Sequence, residues 1–202
     1  MIKSKEDYIR YMEADRLATY IKRKKPLPFM DERLKYTRTM RKIEYIQNCK
    51  TGLFSKLMKA YYQFKLHRLS IKTQFSIPPN VFDEGLTLFH HGTIIVNKTC
   101  KIGKYCQIQC STNIAADVVI GDHVFIGPGV KILSNVRIAD GVRIGANSVV
   151  SRSIDEPNIT VVGAPARKVS NVGSGRKSIK NKDGEYYLEV EKNTPDNIAK
   201  AE

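Results

Sequence analysis

No run of eighteen apolar residues occurs in the 202-residue chain, so no helix long enough to span a bilayer is expected. No charged-then-apolar leader opens it either, and a signal peptide is not expected. Cysteine is sparse: Cys49, Cys100, Cys106 and Cys110 follow neither a zinc-ligand spacing nor a paired framework, which argues against a metal centre and a disulfide scaffold. A reduced, cytoplasmic setting follows. There is no paired-carboxylate site, no Gly-rich phosphate loop and no Ser/His/Asp signature. Acidic residues are few, 20 Asp/Glu against 34 Lys/Arg, and the shortage is local. Residues 1–75 hold 19 Lys/Arg and 7 Asp/Glu, residues 76–169 hold 9 and 7, and residues 170–202 hold 6 of each. The basic charge therefore belongs to the N-terminal segment. It is either a solvated helical face or an attraction to something anionic, such as a lipid surface, an acidic glycan or nucleic acid.

What the chain does have is a period of six. Isoleucine opens eight consecutive hexads at 102, 108, 114, 120, 126, 132, 138 and 144. Four residues into each come Cys106, Thr112, Val118, Val124, Val130, Val136, Val142 and Ser148, all small or β-branched. The second position is often Gly or Ala, as at Gly103, Ala115, Gly121, Gly127, Ala139 and Gly145. Neither a helix nor a flat strand keeps eight isoleucines in phase at this spacing. A fixed repeat of six marks a hexapeptide β-helix, whose stacked coils form a prism filled by one aliphatic per hexad. Gly at the second position is expected to serve the corner bend, and Cys100 and Cys106 fall on the inward small position.

Around this prism the chain divides into three: a basic α-helical segment (1–75), the β-helix (76–169) and a polar, flexible tail (170–202). The first segment predicts helices over Ser4–Ala18, from near Asp31, and over Leu53–Leu69, with a break at Pro26 and Pro28. The third carries Leu53, Leu57, Tyr61, Phe64 and Arg68 up one face with Lys56, Lys59 and Lys65 around them. That pattern fits a membrane surface or packing against the prism or a neighbouring subunit. Pro78-Pro79 predicts the switch to coils, Asp155-Glu156-Pro157 their end, and Tyr186–Val190 a short strand in the tail. Pushed upstream, the hexad phase passes Val96 and reaches His90. A histidine at a position otherwise aliphatic breaks a local rule, and such breaks tend to sit at functional sites. His123, beside Asp122 on a corner, reads as surface, and His67 belongs to the basic helix.

The hexads, the segment Leu86-Thr87-Leu88-Phe89-His90-His91-Gly92-Thr93-Ile94-Ile95-Val96 and the close at Val162-Gly163-Ala164-Pro165-Ala166-Arg167-Lys168-Val169 together resemble the hexapeptide acyltransferases. The resemblance is to the serine acetyltransferase-like branch, including polysaccharide-associated members, and it covers residues 76–169. It implies a left-handed parallel β-helix and a homotrimer, with acetyl-CoA as co-substrate in the groove between neighbouring prisms and no metal. A hexamer built through the N-terminal helices is compatible with it. The histidine of the HxGT-like segment, the family's general base, maps onto His90. Ala146 and Ser151 map by position onto the CoA contacts, with Arg167 and Lys168 as candidates for the CoA phosphates. His91 is a further candidate on the acceptor side. An acceptor hydroxyl must lose its proton as it attacks the thioester, and imidazole titrates in the range that suits this task.

Two departures bear on the acceptor. Biosynthetic serine acetyltransferases place an Asp fifteen residues before the base, where this chain has Phe75. They also insert a loop with a second histidine, whereas the hexads here run from Ile108 through Ile126 without an extra residue. Asp83, Glu84 or a group from a neighbouring chain is the candidate orienter of His90. The leading expectation is O-acetylation of a sugar hydroxyl in a surface polysaccharide or its precursor, at the inner membrane face if the basic segment engages it. The alternatives are serine O-acetylation for cysteine synthesis and a non-catalytic trimeric assembly module. A zinc hydratase on the same fold would want an H-x4-H spacing, which is absent. Nucleic acid is not an expected partner.

Overall fold

A computed structural model describes residues 1–27, 30–180 and 186–190. Pro28, Phe29 and, in the expected flexible tail, residues 181–185 and 191–202 lie outside the described residues. Eight isoleucines and eight small residues at the two inward positions are each at most 3% exposed, so hexad arithmetic translates directly into a filled prism. The result is a parallel β-solenoid of about 5 turns preceded by helices. Its first face stacks Phe75–Ser76 (β1), Ile94–Val96 (β3), Thr112–Ile114 (β6), Lys131–Ile132 (β9) and Val149–Val150 (β12). The second stacks Lys101–Ile102 (β4), Val119–Ile120 (β7) and Arg137–Ile138 (β10). The third stacks Thr87–Leu88 (β2), Gln107–Ile108 (β5), Phe125–Ile126 (β8), Arg143–Ile144 (β11) and Thr160–Val162 (β13). Arg167–Ser170 (β14) closes that face antiparallel to β13, beyond the end expected at Pro157.

The corners differ from expectation. Left-handed backbone falls at the fourth hexad position, at Tyr105, Ser111, Asp117, His123, Gly129, Asn135, Gly141 and Asn147. The second-position glycines bend nothing. They are needed for closeness: a Cβ on Gly121 would stand 2.0 Å from Asp140 Oδ1 of the next coil. The first coil is also irregular. Leu88 pairs with Ile108 and Val96 with Ile114, so eight residues separate inward positions that lie six apart from Val96 through Val150. The two extra residues lie in the corner 89–93, and His90 is therefore not in the aliphatic phase.

The preface comprises Lys5–Ala18 (α1), Glu32–Cys49 (α2) and Leu53–Thr73 (α3), the last one turn longer than its pattern predicts. Ser4 caps α1 by accepting from Asp7 N. The coils begin at Phe75, not at the Pro78-Pro79 pair. Tyr36, Met40, Ile43, Leu66 and Leu69 share one core with the prism, so helices and coils form a single packed body. One charged centre joins them. Arg41, wholly buried, pairs with Asp15 of α1 and Glu44 of α2 and donates to Phe82 O and Asp83 O of the first coil.

The tail does not leave the prism at once. Val172 O accepts from Thr160, Ser174 bonds Gly141 O and His123 O, and Arg176 donates to Thr87 Oγ1. Residues 172–176 thus run back along one edge from the last coil to the first. Gly173 fits only as glycine, since a Cβ there would lie 2.2 Å from Gly141 O. The chain continues into Arg176–Lys180 (β15), paired antiparallel with Tyr186–Val190 (β16), the strand the sequence predicts.

Candidate active site

The corner that carries His90 is assembled by the ends of all three helices. Arg33, in the first turn of α2, donates to Leu88 O at 2.9 Å and to Phe89 O. Tyr20, just past α1, stacks on Phe89. At the end of α3, Thr73 O accepts from Gly92 N and Gln74 O from Ile94 N, both at 3.1 Å. Gly92 sits at φ 132°, with Cys110 of the next coil so close that a Cβ would lie 2.9 Å from its Cβ. Backbone 88–94 is therefore fixed from three sides, while His90 and His91 project into solvent. Sequence reasoning named the histidines but missed Arg33, Tyr20 and Gln74. Nothing in their local pattern links them to a corner up to 69 positions away.

Above His90 the same corner column climbs through Cys110, Pro128 and Ala146, linked by Gly129 N to Cys110 O and Asn147 N to Pro128 O. Ala146 is exposed there, three coils up, roughly 14 Å at about 4.8 Å per coil. Ser151, Arg167 and Lys168 line one open hollow at the last coil, together with Arg152 and Ala166. Lys168 Nζ pairs with Glu156 at 2.5 Å. Of the expected set, His90, His91 and Ala146 share a column, and Ser151, Arg167 and Lys168 share a hollow.

Asp83 and Glu84 do not join them. They stand at another corner and are committed to the preface: Asp83 accepts from Tyr11, and Glu84 holds Arg10 at 2.6 Å and Lys104 at 3.3 Å. Burial pushes the Asp83 carboxyl up, but the bonds from Tyr11 and Glu84 N outweigh it and leave it below its ordinary value. Neither carboxylate can orient His90 of the same chain. Phe75 is 1% exposed and packs edge-on against Tyr36, so the position fifteen before His90 is core. The coils from β5 to β8 are uninterrupted, each 18 residues above the last. Among the described residues, no group of three or more His, Cys, Asp and Glu could hold a metal. Cys100 and Cys106 are buried as expected, and burial pushes the Cys106 thiol up to about 12.

His123 is not the surface residue expected. It lies half-buried in a left-handed corner, stacked on Tyr105 at 5.3 Å, with Nδ1 unpartnered. Burial lowers its pKa, helped by Arg176 and Lys104 and opposed by Asp122 and Asp140. With the folded value depressed, stability is complete above the unfolded value near 6.5 and falls as pH drops below it. Asn occupies the equivalent corner at Asn135 and Asn147. His123→Asn should therefore fold and lose less melting temperature than the parent between about pH 7.5 and 5.5. Equal losses in thermal melts would show that His123 does not drive the acid sensitivity.

The comparisons with known proteins agree with this architecture. The bacterial transferase hexapeptide family (six repeats) matches residues 99–133 and 117–152. No curated protein matches. Among solved structures, serine acetyltransferase from Brucella abortus strain S19 is 25% identical with a TM-score of 0.65, over 83% of this chain and 71% of that one. Its complex with coenzyme A is 26% identical with a TM-score of 0.63, over 84% and 70%. Neisseria gonorrhoeae serine acetyltransferase in complex with serine is 26% identical with a TM-score of 0.64, over 83% and 71%. The likeness extends beyond the repeats into the helical preface, and the chain is similar to serine acetyltransferases, which are acyltransferases built on hexapeptide repeats.

Proposed function

We propose that the protein transfers the acetyl group of acetyl-CoA to a sugar hydroxyl, in a surface polysaccharide or its precursor, with His90 as general base. The observation that carries this reading is the enlarged first corner, which pushes His90 out of the prism while three helix ends fix its backbone. The imidazole takes the hydroxyl proton as the oxygen attacks the thioester carbonyl. The carbon–sulfur bond then breaks, and the departing CoA sulfur takes up a proton. No acyl-enzyme is needed if both substrates are held together. In this reading elongated CoA reaches from the column of His90 and Ala146 toward the hollow with Ser151, Arg167 and Lys168, whose cations would meet its phosphates. The coenzyme A complex of the Brucella protein supports acetyl-CoA as donor.

A homotrimer supplies the groove in this reading. Ile95 and Leu133 along the first face and Val119 on the second stand exposed on flat parallel strands, as surfaces awaiting a neighbour would. The third face is lined by Thr87, Gln107 and Thr160, all buried, and the returning tail contacts Thr87 and Thr160. The orienter of His90 then comes from the adjacent subunit. Buried Phe75 and the uninterrupted coils favour an acceptor other than free serine. Serine O-acetylation remains the second reading, because a serine complex is among the similar structures.

Thiol release from acetyl-CoA, measured with L-serine, nucleotide sugars and purified glycans, separates the readings. Turnover with sugar acceptors is the expected result, from a species whose light scattering is a multiple of three chains. Turnover with serine alone would overturn the sugar reading. A monomer at micromolar concentration would remove the groove.

A further inference from the structure

α3 is apolar on two opposite sides, and the fold uses only one. Tyr62, Leu66 and Leu69 pack on the common core. At 100° per residue, Leu53, Leu57, Phe64 and Ile71 lie within about 40° of one another on the far side, with Phe54 and Tyr61 beside them. All six are between 62% and 75% exposed. Packing against the prism, one of the two expectations for this helix, is thus satisfied by the opposite face. The outer stripe is flanked by Lys56 and His67 on one border and by Lys65 and Lys72 on the other, and Arg68 lies within it. No Asp or Glu occurs anywhere from Tyr45 to Phe82.

We propose that this outer face of α3 docks on an anionic lipid surface. A second copy of the chain is the other occupant that an apolar stripe suggests, but charge argues against it. Two copies of α3 would bring Lys56, Lys65, Arg68 and Lys72 against identical cations with no carboxylate on either helix. Lysine is also depleted in the cores of protein interfaces. A bilayer interface of negative sign meets both requirements. Leu53, Leu57 and Phe64 enter the boundary between headgroups and acyl chains, while the lysine stems run alongside and place their ammonium groups at phosphate level. The helix spans roughly 31 Å at 1.5 Å per residue, enough to lie along the surface. Among the described residues no helix is long and apolar enough to cross the membrane, so the contact is lateral.

The chain contains no tryptophan, so Phe64→Trp gives a single indole at the contact. The full chain is mixed with vesicles of phosphatidylcholine alone or with about one-third phosphatidylglycerol, at low and at roughly 0.5 M salt. The indole should shift to the blue with the anionic vesicles at low salt and lose most of the shift at high salt. In co-sedimentation, Lys56→Gln should lower partitioning about fivefold. Leu57→Glu with Phe64→Glu should abolish it while melting temperature and oligomer mass stay unchanged. Equal binding to neutral vesicles, or undiminished sedimentation of the double variant, overturns the proposal. So does a halved mass of the double variant by light scattering, which would assign the face to a second copy.

Discussion

His90→Ala is expected to lower acetyl transfer about 10²–10⁴-fold, the usual range for removing a general base. Folding should be spared, because the imidazole is exposed and the corner beneath it is fixed through backbone contacts made by Arg33, Thr73 and Gln74. The loss should fall on kcat, since the base acts as the hydroxyl attacks and not when the substrates bind. The acidic limb of the pH–rate profile should vanish with it. His91→Ala should be milder. Arg33→Ala is a useful comparison: it leaves the base in place but frees the carbonyls of Leu88 and Phe89. It should reduce kcat while keeping the acidic limb, as expected of a positioning residue. Near-parent turnover by His90→Ala, with His91→Ala inactive, would move the base by one residue.

Why the sequence exposed some of this and hid the rest follows from how locally each feature is encoded. The prism is legible because every coil repeats the same burial problem, so Ile102 to Ile144 and Cys106 to Ser148 solve it identically. The corner conformations are not legible. Tyr105, Asp117, His123 and Gly129 share a left-handed backbone but no chemistry, because the coils above and below impose the bend. His90 was found by counting back in sixes, yet the count crosses a corner two residues too long, so the residue is exposed for a different reason from the one its phase suggests. Asp83 and Glu84 looked available because their partners, Tyr11 and Arg10, lie more than seventy positions away. The tail shows the same limit. Its polar composition predicts freedom, while Gly173, Ser174 and Arg176 are buried along a corner of the prism.

The largest stability effect is expected at Arg41. Its Nε and Nη2 donate to Asp15 at 2.8 and 3.1 Å, its Nη1 to Glu44 at 3.0 Å, and Nη1 and Nη2 to Phe82 O and Asp83 O at 2.8 and 2.7 Å. Burial alone would pull the guanidinium down, but the two carboxylates outweigh it and raise its pKa. The carboxylates are themselves structural: Asp15 accepts from Gly85 N and Leu86 N, and Glu44 from Asn80 N. Arg41→Met removes the cation and leaves two buried charges facing one another, a loss of about 3–5 kcal/mol. For a chain of this size that lowers the melting temperature by roughly 6–20 °C. Arg41→Lys should rescue little, since one ammonium cannot bridge two carboxylates and two carbonyls. Adding Asp15→Asn and Glu44→Gln to Arg41→Met should recover part of the loss, because it removes the stranded charges that cause it. A triple variant less stable than Arg41→Met would mean that the carboxylates' bonds to the first coil matter more than their charge. Thermal and denaturant melts of the four proteins decide between these. A loss below about 1 kcal/mol for Arg41→Met would put this centre among the weak surface pairs and refute its role in holding helices to coils.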